Sequence, residues 1–178
     1  MFSAGYEIFL ALLSLLSIFN LILLIIIGES ILSAILILTN FVLLFFFGMD
    51  FVIRLIKSPS KSEYLLRQYG WADLLSCLPF SQTNIFRLFR LIKVYRLLKE
   101  FGVRKILDAI VKDRADTALF ILIFVTILML EFGSMGMLAI EPQSPDANIT
   151  TAQDALWYLV VTLSTVGYGD QYPVTTEG

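Results

Sequence analysis

Long apolar runs separated by short polar stretches organise this chain. The first run extends from about Tyr6 to Ile27 and stops at the very short turn Gly28-Glu29-Ser30. The second extends from about Ile31 to Ile56 and carries Asn40, Asp50 and Arg54. A polar loop from Lys57 to Arg67, broken at Pro59, leads to a weaker third run, about Tyr69 to Phe80, with Asp73 inside it and Pro79 near its end. After Ser81-Gln82-Thr83-Asn84, a fourth segment from Ile85 to about Phe101 alternates basic and apolar residues. Gly102 to Thr117 reads as an amphipathic helix, with Val103, Ile106, Leu107, Ile110 and Val111 at helical spacing. Such a helix suits a membrane surface. The last full run spans about Ala118 to Ile140. A polar stretch from Glu141 to Gln153 then leads into a short apolar helix, Asp154 to Ser164, and a glycine-rich loop. Crossing a bilayer takes about 20 apolar residues in a helix, which the longer runs supply. The pattern predicts an all-α membrane protein.

Composition agrees with residence in lipid: 58% of the residues are hydrophobic and 16% charged, where soluble domains carry about 25% charged residues. Histidine is absent, which excludes imidazole metal sites and histidine bases. The lone cysteine, Cys77, excludes an intrachain disulfide and reads as a small buried apolar residue. No Lys or Arg precedes Arg54. The first run also exceeds the roughly 7–15 residues of a signal-peptide core, so it is expected to be a retained span. Cytoplasmic loops carry the excess of Lys and Arg. Outside the fourth segment these residues are Arg54, Lys57, Lys61, Arg67, Arg104, Lys105, Lys112 and Arg114. Their positions predict a cytoplasmic N-terminus, an outer Glu141–Gln153 loop and a glycine-rich loop near the outer surface.

That loop is Thr165-Val166-Gly167-Tyr168-Gly169-Asp170. A phosphate-binding loop wants a strand before it and a helix after it. Here a helix precedes it, Asp170 and Pro173 follow, and no Lys or Arg is near. Ion coordination accounts for each residue type. Several copies of an extended strand stack backbone carbonyls into rings that replace the water around a potassium ion. Gly167 and Gly169 permit the backbone angles this needs, the Thr165 hydroxyl adds a further ring, and Val166 and Tyr168 point away into packing. The C-terminal end of the preceding helix directs its negative dipole at the same place. Thr151 is placed to cap that helix, with Asp154 three residues on. Trp157 and Tyr158 also suit a membrane interface.

In the fourth segment, Arg87, Arg90, Lys93, Arg96 and Lys99 recur at every third residue with apolar residues between them. A surface helix on anionic lipid is one account of such a stripe. Strict three-residue spacing with apolar intervals favours a voltage sensor. Each charge crossing the whole field contributes about 2.3 kcal/mol per 100 mV. Asp50 and Asp73, inside the second and third runs, are the candidate partners. A local i,i+4 pair between Asp50 and Arg54 is the plainer alternative. Glu131 lies within the last span with no partner assignable from sequence. Asn148-Ile149-Thr150 is a glycosylation sequon in the predicted outer loop.

The stretch from Ala155 to Asp170 strongly resembles the pore helix and selectivity filter of the voltage-gated potassium channel family, of the six-transmembrane, prokaryote-like type. Tyr158 stands where that family often has a second tryptophan. The resemblance implies a four-helix voltage-sensor domain over 1–101, an interfacial linker helix over 102–117, and an incomplete pore domain over 118–178 made of outer helix, pore helix and filter. It implies potassium held by backbone oxygens of Thr165, Val166, Gly167 and Tyr168, with Gly169 completing the filter. Asp170, Trp157 and Tyr158 would support it, with a hydrogen bond from Trp157 to Asp170. Arg87, Arg90, Lys93, Arg96 and Lys99 would be gating charges, passed inward by a charge-transfer site of Phe47, Asp50 and Asp73. Asn40 falls where the family often has an outer acid.

A homotetramer in the cell membrane is implied, with the lipid bilayer and identical subunits as partners, potassium as permeant ion, no cofactor, no nucleic acid and no enzymatic activity. Family members continue into a sixth span, so the chain is expected to be a fragment or truncated product that does not conduct potassium alone. Gating by a cytoplasmic ligand, and a non-conducting regulatory subunit, are the competing expectations.

Overall fold

The computed structural model describes residues 3–28, 30–58 and 114–178. The third and fourth segments, Cys77, Asp73, the basic residues Arg87, Arg90, Lys93, Arg96 and Lys99, and the linker up to residue 113 lie outside the described residues. Among the described residues, all regular structure is helical. The order is α1 (Ala4–Ile27), α2 (Ile31–Lys57), α3 (Arg114–Ile140), a 3₁₀ turn (Glu141–Gln143) and α4 (Ala152–Leu163). Among the described residues, three helices, over Gly5–Ile27, Ile31–Lys57 and Ala115–Gln143, are long and apolar enough to cross a membrane.

Local chemistry sets the boundaries. Gly28 takes the left-handed conformation, φ 66°, and its N–H returns to Leu24 O at 3.1 Å, a C-terminal cap that glycine adopts without steric penalty. Ser30 opens α2, its Oγ accepting from Leu32 N at 3.2 Å. α3 starts at Arg114, four residues before the predicted Ala118, and Asp116 lies in its first turn. An acid there complements the positive end of the helix dipole, so a polar turn prolongs the apolar run. Pro142 closes α3 into the 3₁₀ turn.

The described residues fall into two compact units that alternate along the chain. The first holds the described parts of Met1–Leu23 and Asn40–Phe124. Its interior contains Leu13, Leu43 and Phe47, each fully buried. Phe9 meets Phe46 edge-on with centroids 5.5 Å apart and Phe120 at 5.4 Å. Gly5 lets α3 approach closely: a Cβ there would lie 2.9 Å from Thr117 Oγ1. Buried polar residues run through the same interior. Ser14 donates to Leu10 O at 2.8 Å within its own helix, and Ser17 donates to Asn40 Oδ1 at 3.5 Å.

The second unit holds the described parts of Leu24–Thr39 and Val125–Gly178. Its core joins Ile35 of α2, Met137 and Leu138 of α3, and Ile149, Ala152 and Ala155 at the start of α4, with Tyr158 and Leu159 packed against them. α3 and α4 touch at Gly133, where an added Cβ would meet Leu159 Cδ1.

Candidate functional site

The glycine-rich loop hangs from the C-terminus of α4, so the start of that helix comes first. α4 begins at Ala152, two residues before the predicted start, because Thr151 is its N-cap and Asp154 its third residue. The capping box is reciprocal: Asp154 N donates to Thr151 Oγ1 at 3.2 Å and Thr151 N donates to Asp154 Oδ2 at 2.9 Å. Hydrogen bonding by the Thr151 side chain, then by the backbone N–H groups of Thr151 and Thr150, holds the Asp154 carboxyl below its usual range against an opposing desolvation effect. Ile149 fixes this end by complete burial.

At the other end, the first loop amides fold back onto the helix. Thr165 N donates to Thr162 O at 3.0 Å, Val166 N to Val161 O at 3.2 Å and Gly167 N to Val161 O at 3.5 Å. φ is positive at Thr165 (59°), Gly167 (60°) and Gly169 (74°), and at neither Val166 nor Tyr168. Backbones that alternate handedness line their N–H groups on one side and their carbonyls on the other. Thr165 is, among the described residues, the sole non-glycine with positive φ. A β-branched residue held there costs on the order of 1–3 kcal/mol, and such strain concentrates at functional sites. Glycine identity foretold two of the three positions; Thr165 carried no such signal.

Side chains brace the loop from behind. Trp157 Nε1 donates to Asp170 Oδ2 at 2.7 Å, and the Trp157 and Tyr168 rings stack at 5.9 Å with planes 6° apart. Tyr158 instead packs against the buried core. Two further residues, not picked out from sequence as supports, grip the segment beyond the loop. Glu141 accepts from Val174 N at 2.9 Å, from Thr175 N at 3.2 Å and from the Thr175 hydroxyl. Asn148 donates to Asp170 O at 3.4 Å and accepts from Tyr172 N at 3.3 Å. Both contacts span more than twenty positions of chain, beyond the reach of any local pattern. Thr162 through Asp170 are all exposed in the single chain, with Val166 at 53% and Tyr168 at 67%.

The first unit assembles a separate polar cluster. Phe47 and Asp50 are completely buried one helical turn apart on α2. Arg54 Nε donates to Asp50 Oδ1 at 2.7 Å, the i,i+4 pair, and its Nη2 donates to Glu7 Oε1 at 2.6 Å. Tyr6 Oη donates to Asp50 Oδ1 at 3.1 Å. Glu7 and Tyr6 were not singled out from sequence. The available signal was that Glu7 is the one charged residue in its run. Asn40 lies about three turns from Asp50 along α2 and receives Ser17. Glu131 is fully buried within α3.

This chain belongs to the ion transport protein family, whose model matches residues 3–178. With its apolar helices, that membership makes it a membrane ion-transport protein and not an enzyme. It is similar to the voltage-gated potassium channel regulatory subunit KCNF1 of Rattus norvegicus, 25% identical over 153 residues covering 74% of this chain and 31% of that protein. It is also similar to the voltage-gated potassium channel regulatory subunit KCNG3 of Homo sapiens, 24% identical over 155 residues covering 74% of this chain and 36% of that protein. The chain therefore spans about a third of the length of these curated relatives. No solved structure matches it.

Proposed function

We propose that this chain is a subunit of a potassium-selective, voltage-gated channel whose pore is completed by four copies. The observation that carries this is the loop from Thr165 to Gly169, with φ alternating in sign and its first amides tied back to α4. That arrangement suits a column of carbonyls from Thr165, Val166, Gly167 and Tyr168 facing a common axis, where they replace the hydration shell of potassium. The exposure of Val166 and Tyr168 fits side chains that await packing from neighbouring copies. Trp157 and Asp170 then act as the support behind the filter. Residues 1–101 form the voltage sensor, 102–117 the linker and 118–178 the outer part of the pore, with the N-terminus cytoplasmic. Arg87, Arg90, Lys93, Arg96 and Lys99 serve as gating charges and Phe47, Asp50 and Asp73 as their transfer site.

In nanodiscs, potassium and not sodium is expected to shift the backbone resonances of Val166 to Gly169. Gly167→Ala is expected to suppress that response, since φ of 60° is strained for alanine although the space is open. Equal responses to both ions would sink the proposal. Voltage steps across oriented bilayers should displace a transient charge that Arg90→Gln diminishes.

The names of the relatives favour a second reading, a regulatory subunit that joins conducting partners. Co-expression with a conducting homologue separates the two: mixed assemblies with altered or suppressed current support regulation, and unmixed assemblies reject it.

A further inference from the structure

Asp170 is held twice. Its carboxylate receives Trp157, and its carbonyl receives the Asn148 amide. The other end of the same amide takes the N–H of Tyr172. Asn148 thus uses donor and acceptor together across three consecutive backbone positions. Asparagine matches this task, because a planar amide presents an N–H and a carbonyl a little over 2 Å apart. The residue beside it makes the contact effective. Ile149 is fully buried in the core that also contains Ala152 and Ala155, so the backbone at 148 is anchored to the same packing that fixes α4. The outer end of the loop is thereby referred to the N-terminus of the helix whose C-terminus carries its inner end.

We propose that Asn148 is a positioning residue that sets the outer mouth of the filter, a role that rests on the filter reading above. It touches no ion. It acts by fixing the carbonyl of Asp170 and the amide of Tyr172, which limits how far the backbone at Tyr168 and Gly169 can turn. The sequon asparagine is therefore a structural clasp, its Nδ2 serving Asp170.

The test uses the chain in nanodiscs, with potassium chloride or sodium chloride as the probe. Hydrogen exchange is followed at Tyr172, and potassium titrations at Gly167 and Gly169. Asn148→Ala removes both hydrogen bonds, each of about 1 kcal/mol or about fivefold, so it is expected to speed Tyr172 exchange about fivefold through its own lost bond and to raise the potassium midpoint by at least that factor. Asn148→Asp keeps the acceptor and loses the donor, so Tyr172 should stay protected while the potassium midpoint still moves. If both variants merely loosened the fold, Tyr172 would exchange faster in both, and the clasp would be rejected. If the wild type distinguishes potassium from sodium and Asn148→Ala alters neither Tyr172 exchange nor the midpoint, the clasp is rejected while the filter stands. If the wild type treats both ions alike, the filter reading falls and takes the positioning role with it.

Discussion

Asp50 is buried without exposure, and its carboxylate is shared between a guanidinium and a phenol. Removing the guanidinium should therefore cost far more than a surface pair would. Arg54→Ala is expected to destabilise by more than the roughly 1 kcal/mol of a surface pair, because it removes an ion pair to a fully buried carboxylate and the pair to Glu7 together. Asp50→Asn combined with Arg54→Met should recover only part of that loss, since Glu7 still loses its Arg54 partner, and denaturant titration in detergent compares them. Trp157→Phe keeps the stack on Tyr168 but loses the bond to Asp170. At this exposed site the loss should be roughly 1 kcal/mol, seen as a lower thermal midpoint. Residue-level legibility was uneven. Trp157 and Asp170 are brought together by the fold as the resemblance implied. Thr165 was not legible as a positive-φ position, because a β-branched side chain argues against that conformation and only its surroundings impose it. Glu7 and Glu141 escaped because their partners stand 47 and more than thirty positions away.

Among the elements, α4 depends on its cap. Thr151→Ala is expected to cost about 1 kcal/mol of local stability, detectable as faster amide exchange over the first turn. The Asp154 carboxyl titrates below its ordinary value in the folded chain, so its contribution is complete above the unfolded pKa of about 3.9 and is lost as pH falls below it. Acid titration followed by exchange of the Thr151 amide should show that loss, and Asp154→Asn should flatten it. The spans themselves were legible because apolar runs of this length have one stable form in lipid. Their ends were less so. α3 began in a polar turn that hydropathy excludes, and α4 began before its acid because Asp154 sits at the third helical position, not the first.

For the whole molecule, one contact has a mechanical meaning. At Gly133 the bare backbone of α3 receives the Leu159 side chain of α4, and an added methyl group would have to push the end of that side chain aside. Gly133→Ala should displace the Leu159 side chain and destabilise the chain by about 1 kcal/mol, the low end of the overpacking range, measured by thermal unfolding. α3 is 27 residues long, about 40 Å at the usual rise, against a hydrocarbon core of about 30 Å, and tilting is one way such a helix matches its bilayer. Because α3 and α4 touch at Gly133, a change of tilt in α3 is expected to reach α4 and, through its C-terminus, Thr165. Membrane thickness then becomes a dial on the loop. Lipids of increasing acyl length should shift the potassium response step by step, with no change in the amino-acid sequence.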